Sequence, residues 1–521
     1  MPYQRQQLDS VVVTASQMQQ IEALIFDSGM PIPALMEKAA SLSAIKIQSL
    51  YPQEKTSAVG ILVGPGHNGG DALVIARELY LQGYQVWVYQ PLPKMKDLTS
   101  AHSLYAHNLG ISFIDNLDEF LNADLLIDGL FGFGLERSLS GNLAELVRKV
   151  NHSGIPIVSI DIASGIHTDT GEVLGVAVKA TYTLCLGLWK KAFFQDQALE
   201  YLGKVERIDL GIPPQFVEKI LGKPTPIQKI TSNFVQECLP LPRPVTTHKY
   251  KQGHLLLVCG SRQFSGAAIL AGLGARSSGI GMLSIAVPKS LKFGLISYLP
   301  EALIIECSET ETGAIAALPE LDWHKYQAIG CGCGLTREAS SIVTTVFHTS
   351  LPLILDADGL NILAEMDVVN RLNSRQSSTI LTPHLGEFKR LFPNLNLDEF
   401  RGDRLSLTQQ AVELSRAIIL LKGARTIIAS PEGKANLIGE SSSSLAKGGS
   451  GDVLTGLIAG LVAQTSKSDQ NLDSIVATGA WLHQQAAILA AKERTELGVD
   501  GVTLSEFILK VVTKVIAKTD G

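Results

Sequence analysis

Two hydrophobic rhythms alternate along this chain. Runs that are apolar at almost every position, AVGILVG (58–64), QVWVYQ (85–90), DLLIDGLF (124–131), PIVSID (156–161) and TYTLCLG (181–187), predict short strands buried on both faces. Between them, stretches such as ALVIARELYLQGY and LAELVRKVNHSG repeat their apolar residues at helical spacing. Ahead of the first strand, TASQMQQIEALIFDSG predicts a helix capped by Thr14, with Gln17 completing a capping box and Met18, Ile21, Leu24 and Ile25 on one face. The same style returns from HLLLVCGS (254–261) onward. GMLSIAVP, QAIGCGCG, PLILDADG, STILTPH, AIILLKG and TIIASPEG predict further strands, and DVLTGLIAGLVAQ and SIVATGAWLHQQAAILAA predict long buried helices. Strand–helix alternation of this kind builds parallel sheets covered by helices on both faces.

The rhythm fails between the halves. The segment 209–230 carries four prolines and LPLPRP (239–244) three more, which resists a continued helix or central strand. The expected division is therefore a first domain at 1–222, a linker at 223–245 and a second domain at 246–521. A net charge of −6 argues against general affinity for nucleic acid or an anionic membrane, so bound phosphate must be held locally. Six cysteines in 521 residues, paired closely only as Cys331–Gly332–Cys333, read as free thiols of a reducing compartment. The polar N-terminus and the lack of any apolar run near 18 residues point to a cytoplasmic protein.

The densest chemistry is LAKGGSGDVLTG (445–456). Successive glycines let backbone N–H groups converge on an anion, and the helix that follows adds its positive end. Asp452 then stands where a carboxylate could accept a proton from a hydroxyl being phosphorylated. The plain alternative is a helix N-cap in a glycine-rich turn. Three other turns end predicted strands with polar residues: LDADGLNIL (355–363), LTPHLGEFKRLF (381–392) and LKGARTIIASPEG (421–433). Open α/β sheets bind ligands at such strand ends.

Together with HKYKQGHLLLVCGSRQFSGAAILAG and GCGCGLTR, these motifs resemble the NAD(P)H-hydrate dehydratase family, a branch of the ribokinase-like fold. The resemblance spans 246–521. It implies dehydration of the S hydrate of NADH or NADPH at the expense of ADP, with ATP as the alternative donor, and with Mg²⁺. It implies substrate contacts at Ala267, Gly334, His384, Leu385, Gly386, Glu387, Phe388, Lys389, Arg390 and Asp452, with Asp452 catalytic. It places the nucleotide against Lys422, Gly423, Ala424, Arg425 and Thr426, and against Ser442, Ser443, Ser444, Leu445, Ala446, Lys447, Gly448, Gly449, Ser450 and Gly451. Tyr250 stands where the family often has glycine, and Cys331 and Cys333 occupy a turn usually written GPGLG.

In the first half, GPGHNGGDALVIAR (64–77) is a second glycine turn between strand and helix, read as a phosphate-cradling loop. DGLFGFGLERSLSG (128–141) and SIDIASGIHTDTG (159–171) add acids at strand ends, and Asn68, Asp128 and Ser164 offer oxygens to a hard cation. With LMEKAA (35–40), these motifs resemble the NAD(P)H-hydrate epimerase domain over residues 10–215. The resemblance implies a Rossmann-like three-layer fold and substrate contacts at His67, Asn68, Gly69, Gly70 and Asp71. Further contacts fall at Gly132, Phe133, Gly134, Leu135, Glu136, Arg137 and Ser138, and at Asp161, the candidate acid–base group. It implies K⁺ at Asn68, Asp128 and Ser164. Lys38, His67 and Ala163 replace residues usual in that family. The combined expectation is a bifunctional enzyme that interconverts R and S hydrates of NADH and NADPH and dehydrates the S form, as a homo-oligomer. The rival is a thiamine-precursor-type kinase fused to a non-catalytic nucleotide-binding scaffold.

Overall fold

In the computed structural model, residues 8–465 and 471–517 are described. The chain divides into two compact units, one comprising 1–227 and 398–403, the other 228–397 and 404–521.

The first unit opens with α1 (Ala15–Asp27) and α2 (Ile32–Leu50). The Thr14–Gln17 capping box forms as the sequence predicts. Then come β1 (Ala58–Val63), α3 (His67–Leu81), β2 (Gln85–Tyr89), β3 (Ser112–Phe113), β4 (Leu125–Gly129), β5 (Ile157–Ile160), β6 (Tyr182–Leu186) and β7 (Lys204–Ile208). The seven strands form a sheet in the order β3-β2-β1-β4-β5-β6-β7, parallel throughout. Val59, Ile61 and Val63 of β1 enter one core, while Leu62 enters another with Leu126 of β4. Alternate residues therefore pack against opposite layers, which is why the strands read as uninterrupted apolar runs.

The proline-rich end of the expected first domain and the expected linker at 223–245 both contain regular structure. Pro213 and Pro214 open the helix α4 (Pro214–Leu221), where a missing N–H costs nothing. A strand, β8 (Ile227–Lys229), joins the edge of the second sheet, and α5 (Ser232–Cys238) buries Val235 in the second core. The division between units thus falls inside β8.

The second unit continues with β9 (His254–Val258), α6 (Ser265–Ser277), β10 (Met282–Pro288), β11 (Leu303–Glu309), β12 (Ile315–Ala317), β13 (Ala328–Cys331), β14 (Leu353–Leu355), β15 (Thr379–Leu381), α7 (Leu385–Leu391), β16 (Ile418–Leu421), β17 (Ile427–Ala429) and β18 (Ala435–Leu437). It closes with α8 (Ser450–Thr465), α9 (Leu472–Arg494) and α10 (Gly501–Ala517). Its eleven strands run β8-β18-β17-β16-β15-β14-β13-β9-β10-β11-β12. The central strands from β16 to β11 are parallel, and antiparallel pairs flank them at β16–β17–β18 and β11–β12. The turns at 355–363, 381–392 and 421–424 follow parallel strands, whereas the glycine turn at 448–451 comes after the antiparallel β18.

Candidate active sites

In the first unit, the loops after β1, β4 and β5 surround a cavity of about 700 Å³. His67, Asn68, Asp71, Gly132, Phe133, Gly134, Leu135, Glu136, Arg137 and Asp161 all line it. Ser138 is not among the lining residues, and Gly69 and Gly70 lie buried behind the wall. The glycine turn differs from expectation, because HNGGD is already the first turn of α3. Gly69 is there for closeness: a Cβ on it would stand 1.9 Å from the Gly64 carbonyl oxygen. Lys38 is not itself among the lining residues; it donates at 2.6 Å to the carbonyl of Leu210, which is.

Asp161 ends β5 in a left-handed conformation (φ 69°). One carboxylate oxygen accepts the Phe133 N–H at 3.0 Å, and the other takes the Lys190 ammonium at 2.5 Å. Lys190 is fully buried and also donates to the Leu186 carbonyl. Burial alone would lower the Lys190 pKa, but the Asp161 charge outweighs it and holds the lysine above its usual value. Besides the exposed Glu136, two more carboxyls line the cavity, Asp71 and Glu22. Burial, with repulsion from Asp161 and then Glu22, pushes Asp71 well above the carboxylate range. Glu22 is raised to about 7, mainly by burial, partly offset by Lys190.

Behind this wall, Asp128 is fully buried and accepts four hydrogen bonds, from Leu130 N, Ser159 Oγ, and the Ser164 N and Oγ. No lysine or arginine among the described residues pairs with it, so burial raises its pKa against those four donors. The Asn68 Nδ2 is buried without a hydrogen-bond partner. A buried carboxylate without a lysine or arginine partner, with the Ser164 hydroxyl on it, offers oxygen ligands to a monovalent cation, to which Asn68 could add only its amide oxygen, since Nδ2 is a donor.

In the second unit, the turn at Gly448–Gly449 leads into α8, leaving the N–H groups of Gly449, Gly451 and Asp452 without backbone acceptors among the described residues. Gly449 has φ 90°, and a Cβ on Gly448 would meet nothing within 4 Å. An open donor cradle of this kind, at a helix start, fits a phosphate. Asp452 lies in that first helical turn. Burial raises it to about 6; the Cys333 thiol lowers it by hydrogen bonding, Asp356 raises it by repulsion, and Lys422 draws it down. Lys422, expected against the nucleotide, turns its amino group to Asp356 at 2.8 Å and lies 3.9 Å from Glu387. Asp356 also accepts the Thr455 hydroxyl at 2.6 Å. The result is a mixed-charge cluster beside the cradle.

Several of the residues expected as contacts also carry internal hydrogen bonds. His384 caps α7, its Nδ1 accepting from the Gly386 and Glu387 N–H groups while Glu387 returns the bond to the His384 N–H. The Phe388 side chain is fully buried. Lys447 donates to the Leu497 and Val499 carbonyls, and Ser450 Oγ to the Leu445 carbonyl, so both fasten the glycine turn. Lys389 and Arg390 remain exposed, Arg390 on Asn361 at 3.0 Å. Ala267 and Gly334 approach so closely that a Cβ on Gly334 would lie 2.8 Å from the Ala267 Cβ. In the nucleotide segment, Thr426 binds the Gly423 carbonyl, Arg425 reaches Ser441, and Ala424 is exposed. Ser442 caps the short turn Ser443–Leu445, in which Ser444 is buried and Ser443 exposed; Ala446 follows, also exposed. Glu22, Lys190, Thr455 and the Cys333–Asp452 contact escaped the sequence reading. Glu22, Lys190 and Thr455 are ordinary-looking helix or strand residues, and only the tertiary fold brings them, and Cys333 with Asp452, together.

A family profile described as NAD(P)H-hydrate dehydratase matches residues 255–510, and one described as YjeF-related protein N-terminus matches 33–192. A bifunctional NAD(P)H-hydrate repair enzyme of Synechocystis sp. is 51% identical over 498 residues, covering 96% of this chain and 94% of its own. This chain belongs to the bifunctional NAD(P)H-hydrate repair enzyme family. Another member, from Thermosynechococcus vestitus, is 46% identical over 97% of this chain and 98% of its own. A solved Bacillus subtilis ADP/ATP-dependent NAD(P)H-hydrate dehydratase, co-crystallized with ATP/Mg2+, is 32% identical, with 55% of this chain and 97% of that chain covered and a TM-score of 0.47. Membership accounts for both strand-end sites in one chain. All six cysteines are free, and among the described residues no helix is long and apolar enough to cross a membrane.

Proposed function

We propose that this chain repairs hydrated NADH and NADPH, with the first unit interconverting the R and S hydrates and the second dehydrating the S hydrate at the expense of ADP. The observation that carries the reading is the second site: an open N–H cradle beside a carboxylate raised to about 6. A group with that pKa is ionised at neutral pH yet basic enough to take a hydroxyl proton. Asp452 would accept the proton of the C6 hydroxyl of the hydrate, and the cradle amides would stabilise the phosphoryl group as it moves. One such donor is worth about 3–4 kcal/mol in other anion holes. Phosphorylation makes the hydroxyl a leaving group, and the ring nitrogen lone pair then expels it. Lys422 keeps the charge of Asp356 from driving Asp452 still higher.

Mg²⁺ would supply charge neutralisation for the nucleotide phosphates. Among the described residues no group of three His, Cys, Asp or Glu side chains is arranged to hold a metal, which favours its arriving on those phosphates. In the first unit Asp161 would move the proton that inversion at C6 requires. K⁺ would be held by Asp128, Ser164 and Asn68, offsetting the buried Asp128 charge that no described lysine or arginine meets.

The test supplies a mixed R/S hydrate with ADP or ATP and follows reduced-nicotinamide absorbance. Complete recovery supports both activities. A halt after the S fraction removes the epimerase, and nucleotide turnover without absorbance recovery removes the dehydratase.

A further inference from the structure

Inverting a carbon that bears a hydroxyl requires proton transfer on both sides of the exchange: the departing oxygen must gain a proton, and the incoming water must lose one. A single carboxylate cannot do both at the same moment. The cavity of the first unit holds a second group suited to the task. Glu22 lines it from α1, together with Gln19 and Phe26 at i−3 and i+4, so one face of that helix forms a wall. The wall is close to the loop that carries Asp161's hydrogen-bond donor. A methyl placed on Gly134 would meet the Gln19 Nε2 at 3.4 Å, and the neighbouring Phe133 N–H binds Asp161.

We propose that Glu22 is a second catalytic acid–base group of the first unit, acting on the C6 hydroxyl of the hydrate in concert with Asp161. The inference rests on the epimerase reading above. In the R-to-S direction, the protonated Glu22 carboxyl gives its proton to the C6 hydroxyl, the C6–O bond breaks, and the ring nitrogen lone pair forms a C6=N1 iminium. Water adds to the opposite face of C6 as Asp161 takes its proton, and the electron pair returns to nitrogen. One water leaves and one enters. Glu22 ends ionised and Asp161 protonated, the state that runs S to R, and proton exchange with solvent resets the pair.

Electrostatics separate Glu22 from Asp71. Burial raises Asp71, and Asp161 and Glu22 add only repulsion, with no cation to offset them. Glu22 feels the Lys190 charge as well, which holds it at about 7, where it gains and loses a proton with equal ease. Asp161 is in direct contact with the Lys190 ammonium. The other charged groups around the cavity are His67, Lys96, Glu136 and Arg137 on its lining. Two carboxyls set apart by their environments are the arrangement acid–base pairs use.

The experiment compares wild type with Glu22→Gln for conversion of pure R hydrate in H₂¹⁸O, with ADP-dependent dehydration of the S hydrate as an internal measure of intact chain. The variant is expected to lose epimerisation kcat by about 100-fold or more with S-hydrate dehydration unchanged. Wild-type kcat/KM is expected to fall as pH rises through about 7, and the residual activity of Glu22→Gln to lack that limb. Epimerised product is expected to carry ¹⁸O on C6. Near-normal epimerisation by Glu22→Gln, or a raised KM at unchanged kcat, overturns the assignment. A Glu22→Asp variant guards against simple misfolding, since it keeps the carboxyl and is expected to recover part of the rate; equal loss in both variants overturns the proposal. If wild type itself does not epimerise above the enzyme-free rate, the reading of the whole first unit fails instead.

Discussion

Asp452 is placed where catalysis and stability pull in opposite directions. Its carboxyl is raised from 3.8 to about 6, chiefly by burial. The folded chain therefore holds this proton over a window in which the unfolded chain has released it. Stability from this group is greatest at low pH, falls as pH rises from about 4 to about 6, and stays lower above that. Asp452→Asn removes the burden, and the second unit should gain on the order of 1–3 kcal/mol at pH 7.5 and almost nothing at pH 4. The same substitution should cut dehydration by at least about 100-fold while leaving epimerisation measurable. Thermal melts at the two pH values and an S-hydrate assay check both halves; normal dehydration by the variant would mean the base is elsewhere. In wild type, dehydration should rise with pH through about 6 and then level, because only the ionised carboxylate accepts the hydroxyl proton. A pH–rate profile flat across pH 5–7 would contradict the role.

At the scale of elements, α8 positions the cradle through contact with α6 that has no room for side chains. A Cβ on Gly456 would lie 1.8 Å from the Ala271 carbonyl oxygen, and one on Gly274 would lie 2.1 Å from the Val453 carbonyl oxygen. Forcing atoms into such a contact costs about 1–3 kcal/mol or more. Gly456→Ala should accordingly lower the stability of the second unit by at least about 2 kcal/mol and impair dehydration, because α8 carries Asp452. Epimerisation should survive; denaturant melts with both assays measure it. The helix itself was legible in DVLTGLIAGLVAQ, since its apolar residues leave no polar face. Its glycines were legible only as features of an apolar helix, because the carbonyls they accommodate lie some 180 residues away in the chain. The same contrast runs through the fold. Strands buried on both faces announce themselves, whereas β11, with Leu303 and Glu306 exposed, lacks the continuous apolar signature. The prolines near 213 misled because a proline that breaks a helix interior is welcome at its first turn. At the sites, residues in strand-end turns such as Asp161 and Asp452 were found from local pattern. Glu22 and Lys190 were not, as nothing local separates a cavity-facing glutamate from a solvated one.

Across the whole molecule, the two activities need each other chemically but draw on separate residues. The groups that would handle C6 in the first unit, Glu22, Asp71, Asp161 and Lys190, all belong to 1–227. Those that would phosphorylate it, Asp452, Lys422, Asp356 and the Gly449–Asp452 cradle, all belong to the second unit. The link between the activities is then the S hydrate itself, released by one site and bound by the other, with no shared side chain. It follows that the two functions should complement in trans. Asp161→Asn alone should stop after the S fraction of a mixed hydrate, and Asp452→Asn alone should yield no reduced nicotinamide above background. An equimolar mixture of the two variants should restore complete recovery, with an initial lag on pure R hydrate while free S hydrate accumulates. Reduced-nicotinamide absorbance followed over time reads all three cases. Failure of the mixture, with each variant retaining its own single activity, would show that the hydrate passes between sites without entering solution, and the two units would then have to be treated as one catalytic device.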